Sequence, residues 1–175
     1  MRSTKVLFKH DRIYQHNLLR VNYTTYDVRR AQDVMNASAS SSHHNIMVLA
    51  DPYTDESTSD HPFRYAYVLG VCHVNVIYVG HGMIDYQPYR IEFLWVRWYE
   101  NTGVVCNEWL DQKLDRIHFP SVAKQDSFGF VDPADVIRGC HVVPAFSKGK
   151  THSDGKGMSR CAADSGDWAE YYVNW

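Results

Sequence analysis

The sequence has little that would mark a membrane or secreted protein. No apolar run approaches the roughly 18 residues of a membrane-spanning helix. The longest run lies between Val68 and Val79 and is interrupted by Gly70, His73 and Asn75. The first twelve residues, MRSTKVLFKHDR, lack the long apolar core of a secretory signal. We therefore expect an intracellular protein without a membrane span, either nuclear or cytoplasmic.

The sequence also lacks the cysteine and histidine spacings of a metal site. None of the four cysteines forms a C-x-x-C pair, and the ten histidines form no H-x-x-x-H or H-E-x-x-H motif. Each of the two Cys-His dipeptides, at Cys72 and at Cys140, falls in a probable strand, where neighbouring side chains point to opposite faces. The pattern favours free thiols, and we expect neither a metal ion nor another cofactor.

No catalytic motif is present. The chain has no G-x-S-x-G turn, and the lysine- and glycine-rich segment 148–157 does not have the residue order of a phosphate-binding loop. The sequence therefore assigns no catalytic residue. An enzyme is the third and least favoured interpretation.

No charge sign dominates, because 18 basic and 20 acidic side chains give a formal net charge of −2. The charges are unevenly placed: residues 1–35 carry seven basic and three acidic side chains, and residues 36–62 carry four acidic side chains and no Lys or Arg. A basic N-terminal region can contact DNA phosphates, although a solvated surface is the simpler explanation. The candidates for phosphate contact are Lys9, Arg20, Arg29 and Arg30, with Tyr23 or Tyr26 beside them.

Alternating apolar residues are abundant and predict a mainly β protein. Short apolar runs over 5–24 predict two or three strands, and a strand is favoured for the ambiguous pattern over 24–36. Further strands are predicted at 46–50, 63–80, 91–100, 140–146 and 167–175. The polar segments 37–44 and 51–62 are predicted to be exposed loops.

The segment 63–80 shows the clearest alternation. One predicted face is small and apolar and is expected to be buried against the strand at 91–100; it carries Ala66, Val68, Gly70, Cys72, Val74 and Val76. Gly70 in the middle of the run indicates a bulge or bend that would curl the sheet.

Two short helical turns are predicted. Asp132 followed by Pro133 is a favourable N-terminus, and Gly139 can end the turn. Asn107 can cap a short helix over 108–117.

Aromatic residues are unusually frequent, with 12 Tyr, 7 Phe and 5 Trp. Several flank the predicted barrel strands, where converging rings can form a cage for methylated lysine through cation–π attraction. The simpler alternative is that they pack in the core. The cage candidates are Tyr65, Tyr67, Trp95 and Trp98, with Glu92 or Glu100 as the acid at its rim. Strand alternation places Trp95 and Trp98 on opposite faces, so at most one of these two joins a given cage.

The order FRYAYVLGV, IEFLWVRWYE, FGFVDPADVIRGCHVV resembles the bromo-adjacent homology (BAH) family over residues 63–146. The resemblance implies a β-rich, SH3-like barrel core and a role in chromatin. Nearly the whole chain is also similar to a region of basidiomycete fungal proteins associated with Plavaka-type, CACTA-like DNA transposons, in the phrases VNYTTYDVRRAQD, NIMVL, IEFLWVRWYE and WAEYYVN. That second resemblance implies a transposon-derived fungal protein.

We therefore expect a mainly β fold: an SH3-like, BAH-like partly open barrel with short helical turns. Residues 1–36 are expected to form a β extension packed on the core, and residues 46–175 the barrel with a C-terminal strand, as one structural unit. The expected function is non-catalytic recognition of a chromatin protein, with a histone tail as the first candidate partner. DNA binding through the basic N-terminal region is the alternative, and the sequence indicates no oligomeric state.

Overall fold

The computed structural model describes residues 5–25, 27–36, 44–50, 61–80, 82, 86–102 and 114–174. Within these ranges the chain forms twelve strands and three short 3-10 turns, which confirms the mainly β prediction. The strands are β1 (Lys5–His16), β2 (Leu18–Thr24), β3 (Arg30–Asn36), β4 (Asn45–Leu49), β5 (Phe63–Val79), β6 (Tyr89–Trp98), β7 (Glu100–Asn101), β8 (Asp115–His118), β9 (Phe128–Val131), β10 (Val136–Gly139), β11 (His141–Pro144) and β12 (Tyr171–Asn174). The turns are Pro133–Asp135, Phe146–Lys148 and Asp164–Gly166.

The larger sheet is antiparallel and is built around β5, which at 17 residues is its longest strand. Its order is β10-β4-β5-β6-β9, and β1 pairs with the second half of β5. β4 pairs with the first half of β5, from Phe63 to Tyr67, so β4 and β1 follow one another along the same side of β5. The sheet therefore has a broad end at β4 and β10 and a narrower end formed by β1, β5 and β6.

The smaller sheet has the order β11-β12-β8-β7 and joins the larger sheet at two corners. Only Tyr99 separates β6 from β7, and only Cys140 separates β10 from β11. A core lies between the sheets and contains Met47, Tyr65, Tyr99, Ile117, Cys140, Tyr171 and Val173. The sheets do not close into a barrel, which confirms the prediction of a partly open fold.

The hairpin of β2 and β3 covers part of the other face of the larger sheet. Val21 and Met35 are buried there, in a second core that includes Ala66, Val68 and Leu94. The N-terminal strands are thus tied to the rest of the protein in two ways, by β1 pairing with β5 and by the packing of the hairpin.

A bulge in β5 corrects the predicted face of small residues. Val68 pairs with Val96 but Gly70 pairs with Trp95, so one extra residue lies between them, at the position predicted for a bulge. Because the extra residue reverses the alternation, Ala66 and Val68 share their face with Val71 rather than with Cys72.

The two predicted helical segments differ from the structure at their C-terminal ends. The Asp132 carboxylate accepts a hydrogen bond from the Ala134 amide at 2.9 Å and caps the predicted turn, which ends at Asp135 because the chain then enters β10, before Gly139. Of the helix predicted over 108–117, the first six residues lie outside the described residues. Its last three belong to β8, because pairing with β12 holds them extended. Most of the predicted loops 37–44 and 51–62 also lies outside the described residues.

Candidate functional site

Tyr65 belongs to the core and not to an open cage. It is 1% exposed, and its hydroxyl donates a hydrogen bond to Asp115 Oδ2 at 2.7 Å. Burial, together with this hydrogen bond, raises the pKa of Tyr65 above its ordinary value. Tyr65 therefore has a structural role between the two sheets.

Trp98 lies on the opposite face of the larger sheet from Tyr67 and Trp95, as the alternation predicted for the two tryptophans. Ala66 pairs with Trp98, whereas Tyr67 pairs with the neighbouring residue of β6. The Arg64 guanidinium lies 4.1 Å from the Trp98 ring centre and takes the position that a ligand cation would need.

Tyr67 is half-buried and packs against other rings of the protein. Its ring lies 5.1 Å from that of His44 and 6.4 Å, edge to face, from that of Phe119. With Tyr65 in the core and Trp98 on the other face, the four predicted rings do not form one cage. The physical reason is that Tyr65 and Tyr67 lie on the first half of β5, where the smaller sheet packs against the larger one.

Both candidate acids, Glu92 and Glu100, form ion pairs with basic side chains of the protein. Glu92 is exposed and forms an ion pair with Arg90, at 2.7 Å between Oε1 and Nη2. Its side chain points to the face opposite Trp95, because the two positions differ by three residues in one regular strand. Glu100 contacts Lys124, and this hydrogen bond raises the pKa of Lys124.

Of the four candidates, Trp95 does come together with three other aromatic residues, on the face that β6 and β9 share. The rings of Trp95 and Phe128 are 6.5 Å apart, and those of Phe93 and Phe130 meet edge to face at 5.5 Å. Phe130 is 72% exposed, and the other three are half-buried. We call Phe93, Trp95, Phe128 and Phe130 the aromatic patch. The sequence analysis named Trp95 as a candidate, but only the pairing between β6 and β9 brings it together with Phe128 and Phe130.

The aromatic patch lies beside an open strand edge. In the described part of the chain β9 pairs with β6 alone, so its second edge is available for hydrogen bonding. Both ends of β9 are acidic: Asp126 precedes it, and Asp132 and Asp135 follow it, all three exposed. The nearest cation in sequence, Lys124, is held by Glu100. The site therefore combines aromatic faces, a free edge and negative charge.

The basic candidates divide between two parts of the structure. Arg20 and Arg30 lie on the outer face of the β2–β3 hairpin, four residue pairs apart in its register, and both are exposed. Arg29 forms an ion pair with Asp27 at 2.9 Å, and Lys9 belongs to β1 in the larger sheet. Tyr23 faces the inner side, where its hydroxyl donates a hydrogen bond to Asp33, and Tyr26 lies outside the described residues. The predicted set therefore does not form one surface.

Arg97 fixes the segment before β12 onto the larger sheet. It is 3% exposed, donates a hydrogen bond from Nη1 to Asp167 Oδ2 at 2.7 Å, and lies 3.8 Å from the Phe119 ring centre. Burial raises the pKa of Asp167, although Arg97 acts in the opposite direction. This buried pair is structural, since each charge compensates the other inside the protein.

One groove of the described surface contains a cysteine, but that cysteine is not an activated nucleophile. The groove has a volume of about 450 Å³ and lies between β3 and the corner of β10 and β11, with Asp33, Arg138 and Cys140 in its lining. Burial raises the pKa of Cys140 to about 12, so its sulfur is a protonated thiol at neutral pH.

Among the described residues, no three His, Cys, Asp or Glu side chains approach closely enough to hold a metal ion. In the same part of the chain, no helix has the length and apolar character needed to cross a membrane. Comparison with protein-family models, curated proteins and solved structures finds no match to this chain.

Proposed function

We propose that this chain is a non-catalytic protein-recognition module that binds a basic, extended peptide of the histone-tail type along β9. The observation that supports the proposal is that the aromatic patch lies directly beside the edge of β9 with which no other described strand pairs. The BAH resemblance of residues 63–146 suggests the same class of function.

Strand addition explains how an extended peptide would be held. A peptide that pairs with the free edge of β9 gains main-chain hydrogen bonds, and its alternate side chains point toward the aromatic patch. β9 has only four residues, so the main-chain contribution is small and the side chains must supply much of the affinity. Specificity would then depend on what the aromatic rings accept.

The charge around β9 favours a basic peptide. Asp126, Asp132 and Asp135 attract lysine and arginine side chains at both ends of the strand. Trp95 and Phe130 offer ring faces to a cation, each such contact contributing about 0.5–2 kcal/mol depending on desolvation. Histone tails have this chemistry, and a transposon-derived nuclear protein would use it to reach chromatin.

A peptide-binding experiment tests the proposal. The full chain is applied to a histone-tail peptide array, and the best-bound peptide is then titrated by fluorescence anisotropy. We expect Trp95→Ala and Phe130→Ala each to weaken binding by about tenfold, the equivalent of roughly 1.4 kcal/mol. Phe146→Ala is the matched control, because Phe146 is 68% exposed and lies on another turn. Equal binding by all three variants, or no preference for basic over acidic peptides, would contradict the proposal.

DNA binding is the alternative, and the outer face of the β2–β3 hairpin is the observation that favours it. Arg20 and Arg30 share that face, and Asp33, the one acid of the two strands, lies on the inner side. Two arginines make a small site, so any affinity for DNA would be weak and sensitive to salt.

A further inference from the structure

The narrow end of the larger sheet has one face on which no other described strand packs extensively. It consists of β1, residues 71–79 of β5 and residues 89–93 of β6, and we call it the arm. The register of the arm places uncharged and mostly apolar side chains in rows of three on one face. The first row is Phe8, Val76 and Tyr89; the second is Ile13, Val74 and Ile91; the third is Gln15, Cys72 and Phe93. Val6 and Tyr78 extend the same face beyond the first row.

This apolar face is large for a protein surface. Six residues of this face are between 37% and 64% exposed: Val6, Phe8, Ile13, Tyr78, Tyr89 and Ile91. Aromatic side chains present about 150–250 Å² each and valine and isoleucine less, so these six expose roughly 500–600 Å². That value is at the upper limit of the largest apolar patch on a typical monomer. Two such faces would bury roughly 1,000–1,200 Å², which reaches the minimum for a specific interface.

The face carries no charge, which determines the kind of partner it fits. None of the residues in its rows is acidic or basic, whereas the opposite face of the arm carries Arg90 and Glu92 with His73 between β1 and β6. A nucleic acid would need basic side chains, and a charged peptide would need acids. A flat, uncharged sheet face is complementary to another face of the same kind.

The outer edge of the arm is protected, in contrast to its face. The register between β1 and β5 is interrupted from Phe8 to Ile13 by a bulge that contains Lys9, His10, Asp11 and Arg12. His10 and Asp11 have φ values of 63° and 52°, which turn the strand out of line. Charges and bulges on an edge strand prevent pairing with a further strand. A partner must therefore approach the face of the arm and not its edge.

We propose that two copies of this chain associate through the apolar faces of their arms, related by a two-fold axis. An identical copy supplies a face of the same size, flatness and neutrality, and a two-fold axis brings the rows of one copy onto those of the other. The arrangement is a sandwich in which sheets pack about 10 Å apart with their strands inclined by roughly 30°. Val74 and Val76, in the central strand, are only 5% and 8% exposed within one copy, so the contact would be made mainly by the exposed side chains of β1 and β6 on either side of them.

This inference goes beyond the proposed peptide binding and rests on different residues. The proposed interface is centred on β1 and β5, and the peptide site on β9; only Phe93 belongs to both. Association of two copies would place two peptide sites in one particle, which strengthens binding to a partner that carries two tails.

Sedimentation velocity on the full chain tests the dimer. An interface at the minimum size is expected to give a Kd of about 1–100 µM, so the chain is measured from about 1 µM to about 200 µM. We expect the weight-average mass to rise from one chain toward two over this range. Ile13→Lys and Ile91→Lys place a charge in the interface and should weaken association by at least about tenfold.

Both positions are half-exposed or more, so these changes should leave the fold intact, and circular dichroism checks this. Leu49→Lys is the matched control, because Leu49 is 67% exposed on β4 and lies outside the arm. The control should associate as the unchanged chain does. A monomer at every concentration, equal association by the three variants, or binding of a monomer to neutral phosphatidylcholine vesicles would overturn the proposal.

Discussion

At the residue scale, the cations of the protein occupy many of its aromatic faces. Arg64 lies over Trp98, Arg97 over Phe119 and Arg138 over Tyr23. An aromatic residue whose face is already taken cannot serve a ligand in the same way. This competition removes Trp98 from the predicted cage and leaves Trp95, with its neighbours on β9, as the candidate for binding.

The buried ion pair of Arg97 and Asp167 leads to a stability prediction. Arg97→Ala leaves the Asp167 carboxylate buried without its partner and should lower the free energy of unfolding by about 3–5 kcal/mol near neutral pH. Arg116→Ala is the control: Arg116 is 31% exposed and lies 3.5 Å from Glu170, so its loss should cost about 1 kcal/mol or less. Urea unfolding measures both effects. Equal decreases in the free energy of unfolding for the two variants would show that the buried Arg97 pair contributes no more to stability than the exposed Arg116 pair.

The same variant should respond to pH. The pKa of Asp167 is already raised above its ordinary value of 3.8, and loss of Arg97 would raise it further. A raised carboxyl pKa penalises the folded state above the unfolded pKa, and the penalty disappears as the folded carboxylate becomes protonated. The deficit of Arg97→Ala should therefore be larger at about pH 7 than at about pH 4.5. A deficit that grows on acidification would contradict this account.

At the element scale, single interruptions in long strands decide which side chains share a face. The bulge before Gly70 reverses the alternation of β5, so Cys72, Val74 and Val76 leave the face of Ala66 and Val68. The bulge in β1 removes the most highly charged segment of that strand from the ladder. The bulge in β5 creates the apolar face of the arm, and the bulge in β1 protects the edge of the arm.

The β2–β3 hairpin gives the element-scale test of DNA binding. If its outer face contacts DNA, the double change Arg20→Gln and Arg30→Gln should lower the slope of log K against log salt by about 0.9 for each phosphate contact that is lost. Arg29→Gln is the matched control, because Arg29 is paired with Asp27 in the adjoining turn. Filter binding to a short duplex at low salt measures the slopes. An unchanged slope, or no binding, would eliminate the alternative.

At the scale of the whole molecule, the N-terminal strands contact the larger sheet in two ways. β1 forms the third strand of the arm, and the hairpin supplies Val21 and Met35 to a core shared with β4, β5 and β6. β1 and the hairpin, which lie within the predicted extension, thus contact the larger sheet. Removal of the extension would leave β5 unpaired on one side from Val71 to Val79.

Truncation provides the corresponding prediction. A chain of residues 44–175 loses two buried side chains of the core and the strand beside Val74 and Val76, and should show no cooperative unfolding transition. Thermal and urea unfolding followed by circular dichroism compare it with the full chain. A cooperative transition at the temperature of the full chain would show that residues 1–36 contribute nothing to the fold.

The sequence by itself determined several of the strands and some local details. Period-two alternation over 63–80 and 91–100, and the cap formed by Asp132 with Pro133, depend on neighbouring residues alone, and the structure contains them. The position of the bulge at Gly70 was also predicted, because glycine in the middle of a strand is a local signal. The helix predicted over 108–117 was wrong at its end, because pairing with β12 holds 115–117 as a strand.

Only the tertiary structure decided which aromatic residues are exposed. Tyr65 and Trp95 have similar local patterns, yet the smaller sheet covers the first, whereas the second is half-buried on the face that β6 shares with β9. Exposure depends on which strands pair and where the two sheets join, and those contacts link residues far apart in the chain. The alternation of residues along a strand predicts which side chains share a face of the sheet. Which of the two faces is buried depends on how the sheets pack, and only the tertiary structure shows this.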